Sequence, residues 1–314
     1  MPRAAGIDYQ TVPRPAAAPE TLQGAPGTSL QFLAIDAIDG FRVDAALWHP
    51  EGKAPADTTL VLQVHGSGGS YAKPPNGFLG TGLASGGRAV LGINTRQHDE
   101  LVATENFYDV ARDLDAAVHS ARALGYRRLV LQGHSLGTIH ALYYAATNWD
   151  ADIKAASLLG AVGSLPWKTR TILVQDEARF RALTEEAMAL LRGGREGDLL
   201  AQPMGWFTPE PQPVTAKHFL TYRRADAAGA DSTYWIRRVK LPILLVRNEA
   251  DGVIQPFEPH MLLAAAHAEG SLVERIDFLL LPDKGPRSLA GHSFIGNEAP
   301  LVAAIDGWLG ERGL

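Results

Sequence analysis

Short apolar runs alternate along this chain with segments whose apolar residues recur every three to four positions. The runs are rich in aliphatic and β-branched residues, as buried strands are. They predict strands at residues 30–35, 42–49, 59–64, 88–93, 129–133, 153–159, 242–247 and 276–281. Asp39-Gly40, between the first two runs, indicates a hairpin turn.

The helical spacing is clearest in residues 106–124, where Gly125 follows as a C-cap. The same reasoning predicts helices at residues 106–124, 136–146, 176–191, 216–227, 257–268 and 301–309. Strands that alternate with helices form a mainly parallel sheet with helices on both faces. The fold class is therefore expected to be α/β.

The alternation stops at about residue 165 and resumes at about residue 239. We interpret residues 165–238 as a helical cap inserted over the carboxyl edge of the sheet, where ligands bind in open α/β folds. The core would then consist of residues 29–164 and 239–314. The alternative is an elaborated surface crossover that lies away from any site.

The first 28 residues are rich in proline and alanine, which predicts an extended arm along the body of the protein. No continuous apolar region follows a basic start, and no stretch approaches the roughly 20 apolar residues of a membrane span. The default expectation is a soluble, cytoplasmic protein, although a chain whose signal had been removed would show the same pattern. The absence of cysteine excludes disulfides and thiol catalysis.

Composition narrows the classes of partner. The 314 residues carry a net charge of -5 with acidic and basic residues interspersed, so neither nucleic acid nor a membrane is expected as a partner. The ten histidines are scattered, without the spacing of metal ligands, so no metal is expected. A small molecule is the expected partner, and the oligomeric state stays open.

The sharpest motif is Gly133-His134-Ser135-Leu136-Gly137, which lies between a predicted strand and a predicted helix. A serine at such a corner takes a strained conformation that projects its hydroxyl above the sheet edge. Gly133 and Gly137 would then lie so close together that a Cβ on either would clash. The pattern predicts Ser135 as a nucleophile; the alternative is a tight turn with a surface serine.

A serine hydroxyl is a weak nucleophile, so it needs a base, and the base needs an acid that orients it. In this arrangement the acid and then the histidine follow the serine along the chain. Two loops after predicted strands fit, and they supply Asp251 as the acid and His292 as the base. Both loops belong to the same sheet edge as Ser135.

Each choice has rivals. Glu249 is closer to the end of its strand than Asp251 and could be the acid, while Asp251 before Gly252 could be a simple turn residue. His260 and His267 fall within a predicted helix, where solvated or packing roles are more usual.

Two backbone N–H groups are needed to hold the negative oxygen of the reacting group. The amide of Leu136 is one expected donor, and the glycine-rich loop after residue 64 supplies the other, with Ser67 as first choice and Gly68 as its neighbour. The same loop could cradle phosphate, but the lysine of a Walker loop is missing. A dinucleotide loop would need a clearer ribose-binding acid.

The expected substrate-binding residues combine this loop with aromatic side chains of the predicted cap. They are Gly66, Gly68, His134, Trp206, Phe207 and Trp235, with Tyr222 and Tyr234 as further candidates. Cap aromatics more often pack within the cap itself. Arg223-Arg224 and Arg237-Arg238 could meet an acidic substrate, but exposed cap surface is the expected place for them.

Taken together, His65-Gly66, the Ser135 motif, the Asp251 loop and Gly291-His292-Ser293-Phe294 resemble the α/β-hydrolase superfamily over about residues 30–312. The resemblance implies an eight-stranded, mostly parallel sheet, a Ser-His-Asp triad and no cofactor. Serine at the elbow is unlike the haloalkane dehalogenase and epoxide hydrolase branches, which carry aspartate there. Many relatives have Asp-x-Arg-Gly where this chain has Asn94-Thr95-Arg96-Gln97.

The resemblance implies acyl transfer to water, so the expected function is hydrolysis of a carboxylic ester, a lactone or a thioester through an acyl-enzyme. The same triad also serves amidases, peptidases and C–C bond hydrolases. A non-catalytic ligand-binding protein of the same fold is the alternative from another class. The cap matches no particular subfamily, which leaves the substrate open.

Overall fold

The computed structural model describes residues 9–208, 210–226 and 228–314. Within them, nine strands form one sheet. The strands are β1 (Tyr9–Val12), β2 (Thr28–Asp36), β3 (Arg42–Pro50), β4 (Thr59–Val64), β5 (Ala89–Ile93), β6 (Arg128–His134), β7 (Ile153–Leu159), β8 (Pro242–Asn248) and β9 (Arg275–Leu281). Their order across the sheet is β1-β2-β3-β5-β4-β6-β7-β8-β9.

The first strands of the sheet are antiparallel, from β1 to the β3–β5 pair, and every pair from β5 through β9 is parallel. The parallel strands therefore end at one common edge. This confirms the predicted α/β class and the predicted mostly parallel sheet. All eight predicted strands are present within two residues of their expected bounds.

The ninth strand, β1, comes from the predicted extended arm and pairs with β2, with Tyr9 opposite Ile35 and Val12 opposite Phe32. Further along the arm, Leu22 is buried in the apolar cluster beneath the sheet. Residues 1–8 of the predicted arm lie outside the described residues. The strand count thus exceeds the expected eight because part of the arm extends the sheet.

Helices flank the sheet. They are α1 (Asn76–Ser85), α2 (Val110–Ala123), α3 (Leu136–Thr147), α4 (Leu165–Lys168), α5 (Glu177–Arg192), α6 (Ala216–His218), α7 (Ser232–Ile236), α8 (Glu258–Ala266), α9 (Leu289–His292) and α10 (Glu298–Gly310). Helices α2, α3, α7 and α8 pack together on one face of the sheet, and α1 and α10 on the other. Among the described residues, no helix is both long enough and apolar enough to cross a membrane.

Five helices differ from the sequence-based expectation, among them the short helices α4, α7 and α9, which were not predicted. Helix α1 was not predicted, because its three glycines weaken the helical signal. One of them, Gly80, is needed for packing, since a Cβ there would lie 2.8 Å from the ring of Trp48. The helix expected at residues 216–227 is shorter: α6 continues as one π-helical stretch, Phe219–Arg223, and then ends. Its expected last residue, Ala227, lies outside the described residues.

Residues 165–238 contain α4 to α7 and their own apolar cluster, which includes Phe180, Leu183 and Phe219. The cluster is separate from the two apolar clusters that line the faces of the sheet. This segment lies between β7 and β8, as expected from the break in the alternation. That it forms a distinct cap unit stays a prediction.

Arg96 joins three parts of the core at the position where the sequence departs from the family pattern. Its guanidinium donates to Asp113 of α2, with Nη2 2.7 Å from Oδ1, and to Asp39 of the β2–β3 turn, with Nη1 2.9 Å from Oδ2. Asp113 is fully buried and Arg96 nearly so. Hydrogen bonding from Arg96 lowers the pKa of the Asp39 carboxyl. The arginine therefore holds the hairpin against α2.

Replacing this arginine should destabilise the protein strongly. In Arg96→Met the buried Asp113 loses its cationic partner and, among the described residues, keeps only the backbone N–H of residue 96 as a donor. We therefore expect the free energy of unfolding to fall by about 3 kcal/mol. Arg42→Met is the matched control, because Arg42 pairs with Asp36 on the exposed surface and such pairs contribute under about 1 kcal/mol. Denaturant unfolding measures both. Equal losses in the two variants would contradict the assigned role of Arg96.

Candidate active site

Ser135 occupies the sharp corner between β6 and α3. Its backbone has φ 53° and ψ -122°, a left-handed conformation that is strained for a residue with a Cβ. The strain is held by hydrogen bonds: its N–H donates to the Leu159 carbonyl at 2.9 Å, and its carbonyl accepts from the Thr138 N–H at 3.0 Å. The Thr138 hydroxyl donates to the same carbonyl at 2.6 Å. The elbow predicted from the sequence is present.

The corner exists only because glycines surround it. A Cβ on Gly133 would lie 2.4 Å from the carbonyl oxygen of Gly137, and a Cβ on Gly137 would lie 2.3 Å from that of Val64. A Cβ on Gly66 would lie 2.8 Å from the Cβ of Ser135. Real Cβ atoms do not approach other atoms so closely. The clash expected at Gly133 and Gly137 is confirmed, and Gly66 has the same requirement.

Asp251 and His292 meet across the carboxyl edge of the sheet, with Nδ1 of the imidazole 2.9 Å from Oδ2 of the carboxylate. The other carboxylate oxygen accepts the backbone N–H groups of Val253 and Ile254, each at 2.8 Å. Both side chains are buried. Since the carboxylate can only accept, Nδ1 of His292 carries a proton and donates it to this hydrogen bond.

The two loops that carry this pair are joined by their backbones. The N–H of Ser288 donates to the Ala250 carbonyl at 2.9 Å, and the N–H of Gly252 donates to the Ser288 carbonyl at 2.9 Å. A Cβ on Gly291 would lie 2.2 Å from the Ala250 carbonyl oxygen. The position of Asp251 relative to His292 is therefore fixed by main-chain contacts as well as by the side-chain hydrogen bond.

The charge state of Asp251 follows from two opposed effects. Burial alone would raise the pKa of the carboxyl. The charge and hydrogen bond of His292, together with the two backbone N–H groups, outweigh burial and lower the pKa below its usual value. The carboxylate is thus ionised at neutral pH, which is the state that stabilises a positively charged imidazole beside it.

The rival residues lie elsewhere. Glu249 is exposed, and its carboxylate accepts the backbone N–H of Asp283 at 3.3 Å. His260 and His267 are both exposed on or just after α8, and His267 contacts the Leu263 carbonyl of its own helix. The structure brings only Asp251, of the two acids considered, into contact with His292.

Ser135 and His292 line one cavity, which has a volume of about 290 Å³. The residues expected to bind substrate that line it are Gly66, Gly68, His134, Trp206 and Phe207, together with Ser67 of the expected oxyanion pair. The amide of Leu136 begins α3, where helical N–H groups have no acceptor within the helix. Oxyanion binding by Ser67 and Leu136 stays a prediction.

Trp235 was wrongly expected to line the cavity. It lies in α7, which packs on the outer side of α3, and its ring contacts Tyr143 with ring centres 4.8 Å apart. Its indole N–H donates to the Gly229 carbonyl at 2.8 Å. Of the further candidates, Tyr222 is buried within residues 165–238, where its ring stacks on His218, and Tyr234 is exposed. An aromatic residue in this segment of the sequence therefore cannot be assigned to the cavity without the structure.

Two histidines support the site in ways that the sequence did not reveal. The pKa of His65 is lowered to about 4 by burial. Its Nε2 accepts the Thr95 N–H at 3.0 Å, which ties the glycine-rich loop to the loop after β5. His134 lies against His292, with ring centres 4.7 Å apart, and its Nε2 contacts the His292 carbonyl at 3.0 Å. Burial lowers the pKa of His134 to about 3.

Comparison with known proteins places the chain in a family. Residues 59–258 match the model of the α/β-hydrolase fold family, a stretch that begins at β4 and includes both Ser135 and Asp251. The chain belongs to the α/β-hydrolase family. No curated protein matches this α/β hydrolase.

Three solved structures illustrate how widely the fold is shared. Est1E from Butyrivibrio proteoclasticus, solved with ferulic acid bound, has a TM-score of 0.65 at 18% identity and covers 88% of this chain and 98% of its own. A hypothetical protein from Pseudomonas aeruginosa has a TM-score of 0.69 at 14% identity, covering 96% and 98%. The esterase domain of a Rhodothermus marinus protein has a TM-score of 0.57 at 18% sequence identity, and the match covers 89% of this chain and 98% of that domain. At these identities the likeness shows the fold.

The steric requirement at the elbow predicts opposite effects of one substitution at two helical glycines. Gly137→Ala should lower the free energy of unfolding by about 3 kcal/mol or more, because its Cβ would overlap the backbone of β4. Gly307→Ala in α10 is the matched control: nothing lies within 4 Å of its Cβ, so it should gain about 0.5–1 kcal/mol from helix propensity. Thermal unfolding monitored by circular dichroism measures both, and a tolerated Gly137→Ala would contradict the close approach.

Proposed function

We propose that this α/β hydrolase cleaves carboxylic esters through a Ser-His-Asp triad formed by Ser135, His292 and Asp251. The observation that carries the proposal is that a strained serine and a carboxylate-bound histidine line the same cavity. Glycine would adopt the backbone conformation of Ser135 at less cost. A serine retained there is best explained by its hydroxyl.

In the proposed reaction, Ser135 Oγ attacks the ester carbonyl while Nε2 of His292 accepts the hydroxyl proton. The tetrahedral oxyanion is held by the amides of Ser67 and Leu136. His292 then gives its proton to the leaving alcohol, and an acyl-enzyme remains on Ser135. Water, activated by His292, attacks the acyl carbon and releases the acid. Asp251 keeps the imidazole in the reactive tautomer and stabilises its charged form.

The choice of ester over other acyl compounds rests on the site's surroundings and on the structural neighbours. The cavity is open beside Ser135 and has an aromatic wall formed by Trp206 and Phe207, which suits an apolar acyl or alcohol group. The Rhodothermus marinus domain, which shares the fold, is named an esterase domain. Lactones and thioesters have the same reacting carbonyl and belong to the same proposal.

Ser135→Ala should abolish hydrolysis of an activated ester, lowering kcat by several orders of magnitude, because the nucleophile is lost. A fluorophosphonate probe should label the wild-type chain on Ser135 and leave the variant unlabelled, as read by mass spectrometry of the modified peptide. The control is Ser293→Ala, because Ser293 also lines the cavity. An unlabelled but folded wild type would instead identify a non-catalytic binding protein.

Asp251→Asn and Glu249→Gln separate the two acids that the sequence offered. Removing the charge of Asp251 leaves the imidazole without its orienting partner, so kcat should fall by about 10³–10⁴. Glu249→Gln should change kcat by less than about threefold, since its carboxylate contacts only a backbone N–H on the surface. Steady-state kinetics on one ester measures both. A larger loss in Glu249→Gln would reverse the assignment of the acid.

A further inference from the structure

Arg223 is a fully buried arginine at the end of the π-helical stretch that follows α6. Its guanidinium carbon lies 4.2 Å from the centre of the Trp206 ring. Trp206 in turn lines the cavity that contains Ser135 and His292. Arg223 was expected on exposed cap surface; instead the chain buries it directly behind the aromatic wall of the candidate active site.

No acidic side chain compensates the charge of Arg223. Its Nε donates to Nε2 of His218 at 3.3 Å, and within the described residues neither Nη1 nor Nη2 has a hydrogen-bond partner. Glu105, which lies in the same region, is bound by Lys217 at 2.8 Å. Two other buried cations have acidic partners: Lys168 contacts Glu258 at 2.5 Å, and Arg96 has two aspartates. A third, Arg247, donates to the backbone carbonyls of Asp251 and Ile254. Arg223 is thus a buried charge without an anion.

The groups around Arg223 are neutral. His218 accepts a hydrogen bond on Nε2, so it is uncharged, and burial lowers its pKa well below the usual value. Tyr222 stacks on His218 with ring centres 4.2 Å apart, and burial raises its pKa well above the usual value. Burial also lowers the pKa of Arg223, to about 9, so it remains charged at neutral pH. Such an isolated charge costs several kcal/mol of folding free energy.

Both aromatic residues that line the cavity from residues 165–238 have a cation over their rings. Trp206 is backed by Arg223, and Phe207 is backed by Lys168, whose Nζ lies 5.4 Å from the ring centre. A cation on one face of an aromatic ring is held by the electron density of that ring. The opposite face of the ring therefore attracts a second cation less strongly. Because Glu258 neutralises Lys168, the net positive field at this wall comes from Arg223. Such a field acts more strongly on a ligand's charge within the protein than it would in bulk water.

We propose that the cavity binds esters whose non-reacting end carries a carboxylate, and that Arg223 is the specificity-determining residue that supplies the counter-charge at the Trp206 wall. The inference rests on the proposed ester hydrolysis and names the substrate class of that same site. The ligand's carboxylate would compensate a charge that the fold leaves uncompensated. Neutral esters of the same length would gain nothing from Arg223.

The test compares substrates that differ only in charge. Monomethyl esters of linear dicarboxylic acids, from succinate to sebacate, are measured beside the methyl esters in which the free carboxyl is replaced by a carboxamide. Release of acid is followed by pH-stat titration. The wild type should prefer the carboxylate member by at least about tenfold in kcat/KM at the best chain length, which corresponds to about 1.4 kcal/mol. Equal or reversed preference in the wild type overturns the proposal.

Variants assign the preference to Arg223. Arg223→Met should remove the preference, whereas Arg223→Lys, which keeps the charge, should retain part of it. Arg224→Met is the matched control: Arg224 pairs with Asp226, Nη2 to Oδ2 at 2.8 Å, and should leave the preference unchanged. A preference that survives in folded Arg223→Met overturns the role of Arg223. If that variant does not fold, Arg223→Gln, which keeps hydrogen-bond donors without the charge, replaces it with the same expected loss.

A binding measurement separates this inference from the proposed function. In the Ser135→Ala background, monomethyl adipate should bind at least tenfold more tightly than its carboxamide analogue by isothermal titration calorimetry, and Arg223→Met should remove the difference. Binding of this kind without wild-type turnover would end the proposed function and support the inference. If neutral esters are hydrolysed but the two ligands bind with equal affinity, the proposed function is supported and the carboxylate preference is overturned.

Discussion

The backbone conformation of Ser135 is the constraint on which the site depends. A residue with a Cβ is held at φ 53° because three chain segments close around it: β6 before it, α3 after it and the loop after β4 beside it. Gly133, Gly137 and Gly66 allow these segments to approach within distances that no Cβ tolerates. The geometry of Ser135, the proposed nucleophile, is thus a property of the packed sheet and not of the turn alone.

Asp251 and His292, the proposed acid and base, depend on the same sheet in a different way. Parallel strands end at one edge, so the loops after β8 and β9 lie beside the elbow although they are far from it in the sequence. Backbone hydrogen bonds between those loops then set the register of Asp251 against His292. The three residues of the proposed triad therefore all come from outside residues 165–238. Of the described residues in that segment, Trp206, Phe207 and Thr208 line the cavity.

Most of the core could be predicted from the sequence because buried parallel strands are continuous apolar runs with clear ends. The elbow and the order of its partners could be predicted because each needs particular residue types at the ends of those strands. Helix α1 was missed because three glycines weaken its helical signal, one of which, Gly80, allows close packing against Trp48. The choice between Asp251 and Glu249 required loop geometry, since both follow β8 closely and differ only in the direction of their side chains.

Residues 165–238 resisted prediction because their side chains are placed by contacts with one another. Trp206 and Trp235 look alike in the sequence, yet one lines the cavity and the other packs on α3. Arg223 and Arg224 are adjacent, yet only Arg223 is fully buried. A lone buried charge lowers stability, and burying an apolar side chain of similar size there would not. Its retention behind the cavity wall is therefore better explained by a ligand that completes it than by the packing of the cap.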